Sequence, residues 1–218
     1  MKLLPSAVGA RYELAVAYTD TGQFAKARHS LDVLPPREAN VLYQQATILM
    51  YQAKDAQAIP LLRDAVKEAP NECEFWMQLG IAERRLGHLK ESRDAVQQAL
   101  TLAEHQLEEN PRNGSTRALL GYFCSQLKQR SRAESETAQA LQLAPRELNV
   151  IWLAVLTYET LGMRDQAVSV LRTAPSEMLE DLKRWPDVAD LTADSRFIEL
   201  TAAANAEKKE NHHEKTER

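Results

Sequence analysis

Histidine and cysteine, the side chains best suited to nucleophilic, acid–base or metal chemistry, are few and scattered in this chain. Its 218 residues hold five His and two Cys. Cys73 and Cys124 make no metal-type spacing, and they read as reduced thiols, in the core or at the surface. His29, His88 and His105 share no repeated partner. His212 and His213 are neighbours, so on a helix they diverge, and no third ligand stands near them. There is no glycine-rich phosphate loop, no HExxH pair and no nucleophile elbow. Asn113-Gly114-Ser115 spells a glycosylation acceptor, but it also spells an ordinary loop. Carboxylates are spread through charged stretches where ion pairing and solubility account for them. The expectation is no catalytic residue, no metal and no cofactor, hence no enzyme.

What remains is contact chemistry, and its placement depends on a phrase that recurs along the chain. Gly22-Gln23-Phe24-Ala25-Lys26-Ala27 lines up with Gly87-His88-Leu89-Lys90-Glu91-Ser92 and with Gly162-Met163-Arg164-Asp165-Gln166-Ala167. The equivalent small residues are Ala27, Ala58, Ser92, Ala133 and Ala167, at intervals of 31, 34, 41 and 34 residues. The short interval contains the clipped connection Leu34-Pro35-Pro36. The long one contains Glu108 to Gly114, read as an insertion of about seven residues at a turn. Each unit then needs two amphipathic helices and a tight turn. Ala15, Ala46, Gly80 and Gly121 sit where the first helix approaches the second closely. Gly22, Gly87 and Gly162 supply a left-handed residue at the helix end. Pro70, Pro145 and Pro175 follow second helices, and Asn71 and Ser176 are read as N-caps of what comes next.

This pattern resembles the tetratricopeptide repeat family. Its frame of alternating large and small positions reads Trp76, Leu79, Gly80, Leu89, Ser92, Val96 and Ala99 in the third unit. The second reads Leu42, Ala46, Leu49, Ala58, Leu62, Ala65 and Pro70, and the fourth Leu120, Gly121, Cys124, Ala133, Thr137, Ala140 and Pro145. Unit four departs from the pattern, with Lys128 for the turn glycine and Arg130 for a bulky apolar residue. The resemblance implies an all-α, right-handed superhelical solenoid of about five helix-turn-helix repeats, over 8–38, 39–72, 73–106, 114–147 and 148–175. A capping helical segment over 176–204 and a polar, disordered tail over 205–218 would follow. The closing stretch from Asp181 to Phe197 also loosely resembles the end of repeat arrays attached to bacterial signalling kinases and transcriptional activators.

The resemblance also implies a concave groove lined by first-helix residues. Mapped onto this sequence, that groove holds Tyr12, Tyr43, Thr47, Met50, Tyr51, Met77, Ile81, Tyr122, Trp152 and Leu156. Such a set of aromatics and methionines supplies contact area with adaptable or amphipathic tips. The Lys/Asn/Lys/Arg clamp by which some relatives hold a terminal carboxylate is replaced by Tyr12, Val16, Tyr43 and Thr47, so an extended or helical peptide with apolar anchors is the expected ligand. A basic edge is a second expectation: Arg84 and Arg85 end one first helix, and Lys128, Arg130 and Arg132 occupy the next repeat's turn. An acidic or phosphorylated segment would be attracted there.

Composition fits this reading. The chain has 44% hydrophobic and 27% charged residues, and its net charge of −4 is too small to call for a polyanion or polycation. Nucleic acid is disfavoured because no long basic face exists. No apolar run is long enough for a membrane span, and Met1 to Ala10, broken by Pro5, is a poor leader, which favours the cytoplasm. The expected function is a noncatalytic protein-interaction scaffold binding a peptide or protein segment. The alternatives are the C-terminal regulatory region of a larger signalling kinase or transcriptional regulator, and a self-associating structural scaffold.

Overall fold

The computed structural model describes the backbone of residues 5–216 and the side chains of residues 8–206. Every regular element among the described residues is helical. The chain forms two compact units, Met1–His105 and Gln106–Arg218. The first holds the pairs α1 (Pro5–Asp20) with α2 (Phe24–Leu31), α3 (Ala39–Tyr51) with α4 (Asp55–Glu68), and α5 (Cys73–Arg85) with α6 (Leu89–Glu109). The end of α6 crosses the boundary. The second unit holds α7 (Gly114–Gln126) with α8 (Arg130–Leu143) and α9 (Leu148–Thr160) with α10 (Arg164–Leu171). A closing segment follows: α11 (Ser176–Leu182), a 3₁₀ turn (Pro186–Val188), α12 (Ala189–Thr192) and α13 (Ser195–Thr216).

One turn joins the two helices of every pair. The residues at its apex, Gly22, Ala53, Gly87, Lys128 and Gly162, all have positive φ, between 54° and 80°. In each turn the apex amide donates to the carbonyl three residues back, at 2.9–3.1 Å. The following amide donates to the carbonyl five residues back, at 2.7–2.9 Å. Those bonds satisfy carbonyls that the ending helix leaves orphaned, and they reverse the chain into the second helix. Ala53 and Lys128 adopt this geometry without being glycine, so the departure noted at Lys128 leaves the turn intact.

The small residues of the repeat do what their spacing predicts. Ala27, Ala58, Ala133 and Ala167 are fully buried, and Ser92 donates its hydroxyl to the Gly80 carbonyl at 2.8 Å. A Cβ at Gly80 would meet Val96 Cγ2 at 2.8 Å. One at Gly121 would strike the Thr137 hydroxyl and lie 3.2 Å from the Thr137 backbone nitrogen. Ala15 and Ala46 are fully buried at the matching points of α1 and α3.

Two expectations about helix ends need correction. The added residues between Ser92 and Ala133 do not form a loop. They lengthen α6 to 21 residues, seven more than the 14 of α4 and α8. Four residues separate α6 from α7, as they separate α4 from α5 and α8 from α9. Asn71 and Ser176 are not N-caps either. The residue before α5 is Glu72 and the residue before α11 is Pro175, and neither makes a side-chain cap bond. Asn71 stands one position too early for its side chain to reach the first-turn amides. The true cap is Asn113, whose Oδ1 accepts the Thr116 amide at 3.0 Å. The loop reading of Asn113-Gly114-Ser115 therefore becomes a helix start.

In the closing segment Leu179, Leu182, Trp185 and Phe197 are all buried. Trp185 meets Trp152 of α9 edge to face, with ring centroids 6.0 Å apart. Arg164 of α10 pairs with Glu159 at 2.6 Å and donates to the Asp190 carbonyl at 3.1 Å. Arg196 of α13 bridges Asp194 and Asp165 at 2.8 and 2.6 Å. That guanidinium, with the Arg196 amide, holds the Asp194 carboxyl down at about 2. The backbone of α13 continues helical to Thr216, and His212 and His213 lie outside the described side chains.

Candidate interaction surface

Within each unit a first helix packs against its own second helix, against the second helix before it and against a neighbouring first helix. Side chains on the remaining stripe decide what the repeat can touch. In the first unit that stripe carries Tyr12 of α1, then Tyr43, Thr47 and Tyr51 of α3, all half-buried. Tyr43 stacks on Phe75 of α5 with centroids 4.6 Å apart and rings 24° from parallel. Tyr51 packs at 6.0 Å against Phe24, the first residue of α2. The Thr47 hydroxyl donates to the Tyr43 carbonyl at 3.0 Å. Below this layer Gln44 Nε2 donates to the Thr19 hydroxyl at 2.8 Å, tying α3 to α1.

Met50, Met77 and Ile81, assigned to the same groove by sequence, are core residues at 0%, 8% and 2% exposure. In the second unit Tyr122 and Leu156 are likewise buried, at 2% and 4%. Trp152 is half-buried, with one side of its ring given to Trp185. Five of the ten expected contact residues thus keep a partly open face: Tyr12, Tyr43, Thr47, Tyr51 and Trp152. Counting along one helix could not separate them, because burial here is set by what the next helix brings up.

The electrostatics of the tyrosine layer are one-sided. Burial, then Glu13 and Glu38, push the Tyr12 hydroxyl up to about 12. Burial dominates at Tyr43 as well, opposed by hydrogen bonds from Gln78 and Thr47 and reinforced by Glu74. Both phenols are neutral donors over the physiological range. Cys73, the first residue of α5, is buried, and its thiol is pushed well above the ordinary range by burial and by Glu74. Such a thiol is a poor nucleophile.

The expected basic edge is divided between the units. Arg84 and Arg85 end α5, while Lys128, Arg130 and Arg132 lie at the start of α8. Arg85 is turned inward: its Nη1 donates to Asp55 Oδ1 at 3.0 Å and to the Met50 carbonyl at 3.2 Å, and both partners of this ion pair are buried. Glu83 is engaged by Arg63 and His88, at 2.7 Å each. Arg130 pairs with Glu134 at 2.8 Å and reaches the Leu161 carbonyl at 3.0 Å. Lys128 is exposed and Arg132 and Arg84 are half-buried. Nothing in the sequence pointed to the Arg85–Asp55 pair, since its partners stand 30 positions apart.

Among the described residues no group of three or more His, Cys, Asp or Glu side chains is placed to hold a metal ion. No helix among them is long and apolar enough to cross a membrane.

Residues 40–72 match the family model of the tetratricopeptide repeat. No curated protein matches the chain in sequence. Among solved structures the chain is similar to TTC0263, described as a thermophilic TPR protein of Thermus thermophilus. That likeness has 20% identity and a TM-score of 0.56, and it covers 88% of this chain and 97% of the other. MamA AMB-1 matches at 19% identity and a TM-score of 0.42, over 77% of this chain and 96% of that one, which is too distant to bear on detail. The tetratricopeptide repeat is thus matched at 40–72, and the five identical turns with the small-residue contacts beneath them give the other helix pairs the same helix-turn-helix fold.

Proposed function

We propose that the chain is a noncatalytic protein-interaction module that takes a peptide or protein segment along its first helices. The observation that carries this reading is the half-buried layer of Tyr12, Tyr43, Thr47 and Tyr51 on α1 and α3. Tyrosine offers a large apolar ring and a hydroxyl tip with only two side-chain torsions to fix. Here those torsions are already restrained, at Tyr43 by Phe75 and at Tyr51 by Phe24. Binding then orders little on this side, and more of the contact energy remains as affinity. The buried members Met50, Met77, Ile81, Tyr122 and Leu156 hold the shape of the surface and do not meet the ligand themselves.

The test is affinity capture from native lysate with wild type and the single variants Tyr12→Ala and Tyr51→Ala, each matched to wild type in helicity. Partners lost from both variants and kept by wild type support recognition by this layer. Equal recovery by all three removes the layer from the interaction. Recovery of this chain alone would favour a self-associating scaffold. Recovery of nothing would favour a regulatory region that works only within a larger signalling protein.

A further inference from the structure

The tyrosine layer has a floor with an unpartnered dipole and a rim that carries negative charge. On α5, Gln78 is 7% exposed, and its Oε1 is buried with no hydrogen-bond donor directed to it. The same side chain engages the Tyr43 hydroxyl, so the amide lies directly beneath the layer. A buried carbonyl oxygen that no donor neutralises leaves its negative end unscreened in a medium of low polarisability. One helical turn earlier on the same face stands Glu74, half-buried and close enough to Tyr43 to act on it. One of its oxygens accepts a weak bond from Cys73 Sγ at 3.4 Å. Glu13 and Glu38 act in the same sense on Tyr12. Carboxylates therefore act on both phenols, Glu74 on Tyr43 and Glu13 with Glu38 on Tyr12. Arg85 of α5 pairs with Asp55 at the far end of that helix.

We propose that this α1–α3–α5 face of the first unit selects a basic segment, a Lys or Arg whose charge faces Glu74 above the unpartnered Gln78 Oε1 while its stem lies on Tyr12 and Tyr43. Three features fit such a residue together. The rings accept a methylene stem and attract the cation through their faces. Glu74 gives a charged acceptor whose partial burial limits screening. Gln78 adds a fixed dipole that needs no reorganisation when the cation arrives. An acidic segment would meet like charge at Glu74, Glu38 and Glu13. A purely apolar one would leave Glu74 desolvated and unpaired, which is costly. This proposal rests on the reading of the layer as a peptide-binding surface and adds the chemistry of the partner.

The probe is a positional-scanning library of short fluorescent peptides, read by anisotropy against the full chain at low and moderate salt. Glu74→Gln and Gln78→Met test the charged features, and Tyr12→Ala tests the layer. Pools fixed as Lys or Arg should bind wild type about tenfold tighter than pools fixed as Glu at the same position. That preference should shrink several-fold in Glu74→Gln and Gln78→Met, and with added salt. Pools without a charge should bind both variants as they bind wild type. If Gln78→Met does not fold, Glu74→Gln and the salt series still decide the matter. If apolar pools bind and depend on Tyr12, but Lys, Arg and Glu pools are equal or Glu is preferred, the basic segment is overturned and the peptide-binding layer stands. If basic pools are preferred regardless of Glu74, Gln78 and Tyr12, both are overturned, because the cation is held elsewhere. No binding by any pool also overturns both.

Discussion

At the scale of single residues, the sharpest demand is at the five turn apices, where φ is positive. An L-residue there carries a Cβ close to its own carbonyl, which costs of the order of 1 kcal/mol; glycine avoids this at the expense of a more disordered unfolded chain. Ala53 at φ 54° and Lys128 at φ 62° bear that cost now. Ala53→Gly and Lys128→Gly should therefore each stabilise the chain by about 0.5–1 kcal/mol in urea unfolding. Gly87→Ala should destabilise it by at least about 1 kcal/mol, although open space surrounds the new methyl. Sequence showed three of these apices through their glycines. The other two were legible only from the spacing of Ala58 and Ala133, because the backbone enforces the turn whether or not the residue is suited to it. Buried and open tyrosines could not be told apart in the same way. Tyr43 and Tyr122 look alike along a helix, but one keeps an open edge and the other is 2% exposed.

At the scale of helices, what fixes each pair is how closely two backbones approach. Gly121 lets α7 rest on Thr137 and Ala133 of α8, and Gly80 lets α5 rest on Val96 and Ser92 of α6. The two sites differ in what a methyl would meet. At Gly80 the nearest atom is the tip of a valine, which can turn. At Gly121 the backbone nitrogen of Thr137 and carbonyl of Ala133 also lie within 3.3 Å, and these cannot move alone. Gly121→Ala should cost about 2–3 kcal/mol and Gly80→Ala about 1–2 kcal/mol, read as shifts of the denaturation midpoint at constant slope. Equal costs would mean that the helices part as easily at either place. These contacts were foreseen in type, since a small residue recurring in both helices has few other reasons to persist through five units. The caps were not. A helix start depends on one side chain reaching one amide, and Asn113 and Asn71 both precede a helix in sequence while only Asn113 stands at the right step.

At the scale of the whole molecule, helix pairs lend one another stability, so local terms add along the chain. The phenols show this through pH. Burial raises Tyr12, Tyr43 and Tyr158 above the ordinary value of 10.0, Tyr12 to about 12. Raised folded values mean that the folded chain keeps protons which the unfolded chain gives up. Their contribution is complete below 10.0 and is lost as pH rises through the folded values, so stability should fall across that window. A Tyr12→Phe/Tyr158→Phe variant should lose less stability than wild type between neutral pH and strongly alkaline buffer, measured by urea unfolding. An identical decline would assign the alkaline loss to other groups. The long helix α6 carries a different consequence. Its seven extra residues are close to two full helical turns, so the stripe of small and apolar residues keeps its azimuth to within roughly 20°. In the language of insertions and deletions, seven is a nearly neutral step for such an array. A gain or loss of five would swing the stripe to the opposite side of the helix and unpair it from everything it was shaped to meet.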